Sequence, residues 1–200
     1  MAPERGTLLL LALSLGLASA QQTLEEVPVQ PDFDARKVEG RWLTARLAAS
    51  HTRLVSPEDP LRLALHSIGT RDQDLEFVLF WMGEGVCKGV NVTVHPTGLR
   101  GQYQGALQGG GSILVRFVST DYSSLVLYIR FQDGGGGGEV TSLWALLARR
   151  LPGDPRWLEK YLEFVRKFRL QEAPIFNLDG EHCPAPTLHL AAAQCPPPDA

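Results

Sequence analysis

From Gly40 to about Arg149, apolar and polar positions alternate in short runs separated by clusters of turn residues. Apolar residues at every second position are typical of strands with one buried face. The runs are Arg41–Ser50, Leu61–Ile68, Leu75–Met82, Val86–His95, Gly101–Ala106, Ile113–Ser119, Leu125–Phe131 and Glu139–Ala148. Because eight strands close a small up-and-down barrel, the pattern predicts an all-β fold built as an eight-stranded antiparallel β-barrel.

After Asp154 the apolar positions change to helical spacing. Asp154 can cap a helix, and Pro155 suits the first helical position. The apolar stripe consists of Trp157, Tyr161, Phe164, Val165 and Phe168. The sequence therefore predicts one C-terminal helix over Pro155–Arg169, packed on the outside of the barrel. The short apolar run Pro174–Leu178 is compatible with one more strand.

The first twenty residues have the pattern of an export signal. A charged start at Glu4 and Arg5 precedes an apolar run over Leu8–Leu17, and Ala18-Ser19-Ala20 forms a small-residue cleavage site. No later stretch has the roughly twenty apolar residues that span a bilayer. We therefore expect a secreted, extracellular protein that does not insert into membranes. The expected plan is a signal peptide over 1–20, an N-terminal extension over 21–32, the barrel and helix over 33–183, and a Pro-rich disordered tail over 184–200.

The charge pattern excludes a nucleic-acid partner. The chain has a net charge of −3 at pH 7 and no long basic run. The His and Cys residues lack the tight spacing of a metal site, so we expect neither a metal nor a cofactor. Asn91-Val92-Thr93 is an acceptor for N-glycosylation, and we expect a glycan at Asn91.

The apolar strand positions predict a ligand cavity inside the barrel. In Val86–His95, valines occupy one face while Cys87 and Asn91 occupy the other, which assigns the inward and outward faces. Both faces of Leu75–Met82 are apolar, so its inward face stays open. Arg46 and Arg116 would meet a ligand carboxylate if they faced inward. The expected lining is Arg46, Phe77, Leu79, Trp81, Val90, Val92, Val115, Phe117 and Tyr128.

Three short motifs resemble those of the lipocalin family. Gly40-Arg41-Trp42 opens the first strand, Thr120-Asp121-Tyr122 leads a later strand, and Arg149 closes the last strand before the helix. They occur in the family's order and positions. The resemblance implies structural roles, in which Trp42 plugs the closed end of the barrel and Arg149 stacks on its indole. It also implies that the chain carries a small hydrophobic ligand, such as a retinoid or a fatty acid.

The family pattern joins a barrel-strand cysteine to one after the helix, which matches Cys87 and Cys183. Closing a loop of roughly 100 residues stabilises a fold by up to about 4–5 kcal/mol in the chain-entropy model. Cys195 is then left over. It is available for a bond to a protein partner, for capping by a small thiol, or for competition with Cys183.

Two other functions occur among similar proteins. One branch of the family, the prostaglandin D synthases, uses a cysteine on the second strand, but Leu61–His66 contains none, so we expect no enzymatic activity. His66 could serve as a base, but the sequence gives no Ser, Cys or carboxylate to pair with it for catalysis. The complement component 8 gamma chain, a binding subunit, is similar in the Thr-Asp-Tyr strand and around Arg149. Its linking cysteine has no counterpart in Ala49–Arg53, although Cys195 offers another route to a partner.

Overall fold

The computed structural model describes residues 27–50, 64–83, 86–107, 110–132, 134, 140–168 and 170, without the side chains of 64, 80–83 and 86–88. A short 3-10 helix spans Ala35–Val38. The strands are β1 (Gly40–Arg41), β2 (Leu43–Ala49), β3 (Ala64–Arg71), β4 (Asp74–Gly83), β5 (Val86–Pro96), β6 (Gln102–Ala106), β7 (Ser112–Thr120), β8 (Ser124–Gln132) and β9 (Val140–Ala148). One α-helix, α1, covers Pro155–Lys167.

The strands form one antiparallel sheet in the order β1-β3-β4-β5-β6-β7-β8-β9-β2. The first predicted strand is divided at Trp42, so that β1 pairs with β3 while β2 pairs with β9. Both edges of the sheet therefore belong to one bent segment of chain, and this bend nearly closes the barrel. The predicted antiparallel barrel with an external helix is confirmed.

Gly40 and Trp42 make the bend that joins the two edges. Gly40 has a φ of +103°, a backbone conformation that residues with a Cβ rarely adopt. A Cβ at this position would also lie 3.3 Å from Arg149 Nη1. Trp42 N donates to the carbonyl oxygen of His66 at 2.9 Å, which ties the bend to β3. The strand break is thus built from one glycine and one cross-strand hydrogen bond.

The strand bounds agree with the predicted runs to within a few residues. Within the predicted runs, Leu61–Leu63 and Glu139 lie outside the described residues, as does the apolar run Pro174–Leu178. The signal peptide over 1–20 and the tail over 184–200 lie outside them as well, so both stay predictions.

Apolar side chains on the two sides of the sheet form two separate clusters. The inner cluster fills the barrel and includes Trp42, Phe77, Val115 and Leu127. The outer cluster lies between the barrel and α1. Its buried members are Val27, Ala45, Ala48, Val118, Val126, Tyr128, Trp144, Leu146, Tyr161, Val165, Phe168 and Leu170. Both sides of β8 and β9 are therefore buried, which explains their nearly continuous apolar sequence.

Helix α1 begins and packs as its sequence predicts. The Asp154 carboxylate accepts a hydrogen bond from Arg156 N at 2.9 Å, and Pro155 occupies the first turn. Tyr161, Val165 and Phe168 are buried against the barrel wall. No helix within the described ranges is long and apolar enough to cross a membrane.

The described part of the N-terminal extension is tied to β7. Gln30 N donates to the carbonyl oxygen of Phe117 at 2.7 Å, and Gln30 Oε1 accepts from Thr120 N at 2.9 Å. Arg116 is buried beneath this segment and donates to the Val27 carbonyl oxygen at 2.6 Å. These bonds bring Phe33 into the closed end of the barrel, where it is buried.

Candidate functional site

The barrel interior contains a cavity of about 40 Å³. Its wall is formed by inward side chains of β2, β3, β4, β5, β7, β8 and β9, almost all of them aliphatic or aromatic. The lining residues are Thr44, Leu47, Leu65, Phe77, Leu79, Val92, Ile113, Val115, Leu127, Ile129, Phe131, Leu143, Ala145 and Leu147. A site with this lining favours an apolar occupant.

Aromatic rings form the floor of this cavity, on the side of the barrel end where Trp42 lies. Phe33 stacks on Phe117 with ring centroids 4.2 Å apart, and Tyr103 meets Phe117 edge-on at 5.8 Å. Burial raises the pKa of the Tyr103 phenol, and the nearby Arg100 charge opposes that shift. Phe117, which the sequence predicts as lining, is buried in this floor and is not part of the cavity wall.

Trp42 and Arg149 form the stacked pair expected from the sequence. The guanidinium carbon of Arg149 lies 3.9 Å from the centroid of the Trp42 ring. The same guanidinium donates to the carbonyl oxygens of Arg41 at 2.7 Å and Glu39 at 2.9 Å. Trp42 Nε1 donates to the Val38 carbonyl oxygen at 2.7 Å. The stack and these hydrogen bonds fit the structural role that the resemblance implies.

The Thr120-Asp121-Tyr122 segment makes the turn between β7 and β8. Thr120 Oγ1 donates to the Ser124 carbonyl oxygen at 2.7 Å and accepts from Tyr122 N at 2.8 Å. Tyr122 has a φ of 66°, and its hydroxyl oxygen accepts from Asp34 N at 3.0 Å. The turn thus holds the 3-10 helix segment against the closed end.

Asp121 connects this turn to α1. Its carboxylate accepts from Ser124 N at 2.7 Å and from Trp157 Nε1 at 3.0 Å. Burial raises the pKa of Asp121, but the hydrogen bonds from Ser124, Ser123 and Trp157 outweigh burial, so the pKa lies below its usual value. The ionised carboxylate is a structural link, and it lies away from the cavity lining.

Arg46 does not line the cavity, which corrects the prediction. Strict alternation from Trp42 puts residue 46 on the inward face, but a β-bulge between Thr44 and Arg46 shifts the register. Beyond the bulge Leu47 faces inward, while Arg46 lines an outer groove of about 210 Å³ next to the start of α1. Arg116 lies outside the cavity as well, because it is hydrogen-bonded beneath the N-terminal segment.

Tyr128 is the third predicted lining residue that lies outside the cavity wall. It belongs to the outer cluster, where its ring meets Trp144 edge-on with centroids 5.2 Å apart. The inward residues of β8 are Leu127, Ile129 and Phe131. Alternation misassigns Tyr128 because α1 covers the outer side of the barrel, so both sides of the strand are apolar.

The remaining predicted lining residues have three different outcomes. Phe77, Leu79, Val92 and Val115 lie on the cavity wall. The face of Leu75–Met82 that sequence left open is thereby assigned, since Leu75 and Phe77 are both buried in the inner cluster. Val90 is 37% exposed and is not in the wall. The side chain of Trp81 lies outside the described residues.

Two predicted modification sites lie on β5. Asn91 is exposed on the outer face, in the alternation that the sequence predicts. Cys87 lies opposite Met82 in the β4–β5 register, and its side chain is outside the description. Cys183 and Cys195 also fall outside the described residues.

The prediction from sequence does not include most of the residues in the cavity wall, such as Leu65, Ile113 and Ala145. Thr44 was also missed, although it lies two residues after Trp42 on the same inward face. The Trp42 motif was the available signal for Thr44, because a residue two positions from an inward indole shares its face before the bulge.

Curated relatives of the chain are lipocalins. No protein-family model matches the chain. The chain is 26% identical to a lipocalin of Rhinella marina over 172 residues, 85% of this chain and 93% of that protein. It is 29% identical to human Lipocalin-15 over 157 residues, 78% of this chain and 83% of that protein. The match to Equus caballus uterocalin, at 29% identity over 96 residues, covers 48% of this chain and only 53% of uterocalin.

Solved structures share the fold. The bovine lipocalin allergen Bos d 2 superposes with a TM-score of 0.66 at 21% identity, over 76% of this chain and 100% of the allergen. The possum milk whey lipocalin trichosurin, solved with bound 4-ethylphenol, gives a TM-score of 0.62 at 19% identity, over 73% of this chain and 99% of trichosurin. A nearly closed antiparallel barrel with one external helix is the lipocalin fold. The chain resembles lipocalins in sequence as well as in fold.

One relative carries the name of an enzyme. The chain is 26% identical to prostaglandin-H2 D-isomerase of Sus scrofa over 154 residues, 76% of this chain and 81% of that protein. The described cavity wall contains no thiol, imidazole or carboxylate. His66 lies outside the wall, and burial, with a smaller contribution from the Arg41 charge, lowers its pKa.

Proposed function

We propose that this protein binds and carries a small hydrophobic molecule in the barrel interior, outside the cell, without chemical change to the ligand. The apolar cavity carries this proposal. Only Thr44 among its described lining residues has a polar side chain. The similarity to lipocalins, including a structure with bound 4-ethylphenol, supports the same function.

The cavity volume favours a compact ligand over a long one. A cavity of about 40 Å³ is far below the roughly 300–1,000 Å³ of sites for drug-sized ligands. A single-ring molecule enters if side chains such as Phe77, Leu79 and Phe131 change rotamer. A retinoid or a fatty acid needs a much larger displacement of the wall, so we place these two classes below single-ring ligands.

Titration with 4-ethylphenol tests the proposal by isothermal calorimetry. We expect saturable 1:1 binding to the wild type and loss of most of it in Ala145→Val, because the added methyl groups occupy the cavity. Ala106→Val, at an exposed position of β6, is the matched control and keeps wild-type affinity. Equal affinities in all three proteins would place binding elsewhere, and no binding to the wild type would count against the carrier function.

Export and modification belong to the same proposal. We infer cleavage after Ala20, a disulfide between Cys87 and Cys183, and a glycan at the exposed Asn91. Material secreted by mammalian cells is expected to begin at Gln21, to lose mass on treatment with an N-glycosidase, and to yield a Cys87–Cys183 peptide without reduction. An Asn91→Gln variant with unchanged mass after the same treatment is the control. A Cys87–Cys195 peptide would overturn the pairing.

Binding without catalysis is the function that the cavity wall favours. Isomerisation of a prostaglandin endoperoxide by the cysteine route needs a thiolate inside the barrel. Neither the described wall nor the Leu61–Leu63 segment that precedes β3 contains a cysteine. Incubation of the protein with prostaglandin H2 is expected to give no prostaglandin D2 above the uncatalysed rate. A turnover that survives purification and depends on protein concentration would contradict this part of the proposal.

A further inference from the structure

Thr44 is the one residue with a hydroxyl group among the described residues that line the otherwise apolar cavity. Thr44 is only 5% exposed. It faces inward because it lies two residues after Trp42 and before the bulge of β2. All other described residues of the wall have hydrocarbon side chains. The cavity therefore offers a ligand a single point for a hydrogen bond.

The Thr44 hydroxyl already accepts a hydrogen bond but does not use its proton within the described chain. Thr44 Oγ1 accepts from Leu65 N at 3.0 Å, at a place where β2 and β3 do not pair as strands. Among the described residues the hydroxyl donates to no acceptor. A buried hydroxyl has one proton to donate, and leaving it unpaired costs free energy that a ligand oxygen can recover.

The charges near the cavity disfavour an anionic ligand. Arg46 faces the outer groove and Arg116 is held beneath the N-terminal segment, so neither reaches the wall. An ionised carboxylate placed in this cavity would lose its hydration without gaining an ionic partner among the described residues of the wall. A neutral oxygen pays a much smaller desolvation penalty and can accept the Thr44 proton.

We propose that the cavity selects neutral, compact apolar ligands that carry one hydrogen-bond acceptor, such as a ketone or aldehyde oxygen, and that Thr44 Oγ1 donates to this oxygen. The proposal rests on the carrier function proposed above and specifies the class of ligand. Thr44 is then the residue that distinguishes such ligands from hydrocarbons of the same shape.

Three probes of nearly equal shape test this selection: acetophenone with a carbonyl, ethylbenzene without oxygen, and benzoate with a negative charge. Their dissociation constants are measured by calorimetry near neutral pH for the wild type, Thr44→Val and Thr44→Ser. Thr44→Val keeps the shape but removes the donor, whereas Thr44→Ser keeps the hydroxyl. We expect Thr44→Val to weaken acetophenone about three- to tenfold more than ethylbenzene, since one neutral hydrogen bond contributes about 0.5–1.5 kcal/mol.

Thr44→Ser is expected to restore the wild-type ratio of the two affinities, and benzoate is expected to bind the wild type at least about tenfold more weakly than acetophenone, because its charge is unpaired. Equal losses of acetophenone and ethylbenzene in Thr44→Val would overturn the role of Thr44. Tight benzoate binding would overturn the selection for neutral ligands. Failure of all three probes to bind the wild type would instead count against the carrier function itself.

A measurement on the wild type covers the case in which Thr44→Val does not fold after Leu65 N loses its acceptor. The carbonyl stretching band of bound acetophenone is recorded by infrared difference spectroscopy. A hydrogen bond from Thr44 is expected to move the band below its position in cyclohexane. A band at the cyclohexane position would show an unbonded carbonyl and would overturn the proposal.

Discussion

The two apolar clusters on either side of β8 and β9 are packed differently. In the outer cluster, Trp144 stacks with both Phe164 and Phe168, with ring centroids 5.4 and 4.9 Å away. Tyr161 is fully buried beside it and donates to the Trp144 carbonyl oxygen at 3.1 Å; burial raises its pKa. The inner cluster is mainly aliphatic around a cavity of about 40 Å³.

This difference separates stability from binding. In the outer cluster the stacked rings have fixed partners on α1, so its side chains serve mainly to attach α1 to the barrel. Aliphatic side chains around a gap forgo some packing contacts, and a ligand that enters the gap supplies them. Substitutions in the outer cluster are therefore expected to change the free energy of unfolding without changing ligand preference, while inner substitutions change both.

The largest effect is expected from Trp144→Ala, which empties the centre of the outer cluster. We expect the free energy of unfolding in urea to fall by about 3–5 kcal/mol, as for other buried tryptophans. Trp144→Phe is the matched control, because it replaces the indole by a smaller aromatic ring that can still stack. The indole Nε1 that is lost has no hydrogen-bond partner in the described part of the chain. If the two variants lost equal stability, the aromatic stack would not be the source of the outer cluster's contribution.

Leu143 and Leu146 sharpen the comparison because they lie on opposite faces of β9. Each is more than nine-tenths buried, so truncation to alanine is expected to cost about 2–4 kcal/mol in either variant. Only Leu143→Ala enlarges the cavity, and we expect it alone to gain affinity for naphthalene relative to 4-ethylphenol, measured by calorimetry. A similar gain in Leu146→Ala would show that the two clusters are not independent.

Sequence reasoning predicted the barrel well because strand alternation and the motifs at Trp42 and Arg149 are local properties. A strand with one buried face produces a period of two that is visible in the sequence. The helix was equally visible, since Asp154 and Pro155 mark its start. Division of the first strand at Trp42 was not visible, because it follows from pairing with two distant strands.

The cavity wall was predicted less well, for two physical reasons. A bulge after Thr44 reverses the alternation of β2. The alanine at position 45 gives no sign of this bulge, so alternation predicts that Arg46 faces the barrel interior. The outer side of β8 is buried by α1, so Tyr128 has no polar neighbour to identify the outward face. Strand β5 has one apolar face around Asn91 and Val92. There the sequence predicts the outward Asn91 and the inward Val92 that the structure has.

Arg149→Met tests the closed end that supports the inner cluster. Methionine retains an apolar stem over Trp42 but donates no hydrogen bonds to the Arg41 and Glu39 carbonyl oxygens. We expect a loss of about 2 kcal/mol in the free energy of unfolding, because charged donors contribute about 1.5–3 kcal/mol and part of the guanidinium is exposed. Arg149→Lys is expected to fall between methionine and wild type, since an ammonium cannot reproduce the planar fork. A lysine variant as unstable as the methionine one would argue against any contribution of the charge.

The smallest effect is expected at Asp121, which links the start of α1 to the barrel through Trp157. Its folded pKa lies below the unfolded value, so its stabilisation is present above the unfolded pKa and disappears as pH falls through the folded pKa. For Asp121→Asn we expect a loss of about 1 kcal/mol or less at neutral pH, because solvent screens this exposed group. Urea unfolding at neutral pH and at successively lower pH values should show the gap to wild type narrow as the pH falls through the folded pKa of Asp121. Glu159→Gln, which removes an exposed carboxylate from the same helix, is the control and should match the wild type throughout. A gap for Asp121→Asn that persists unchanged in acid would mean that the ionised carboxylate does not hold the outer layer in place.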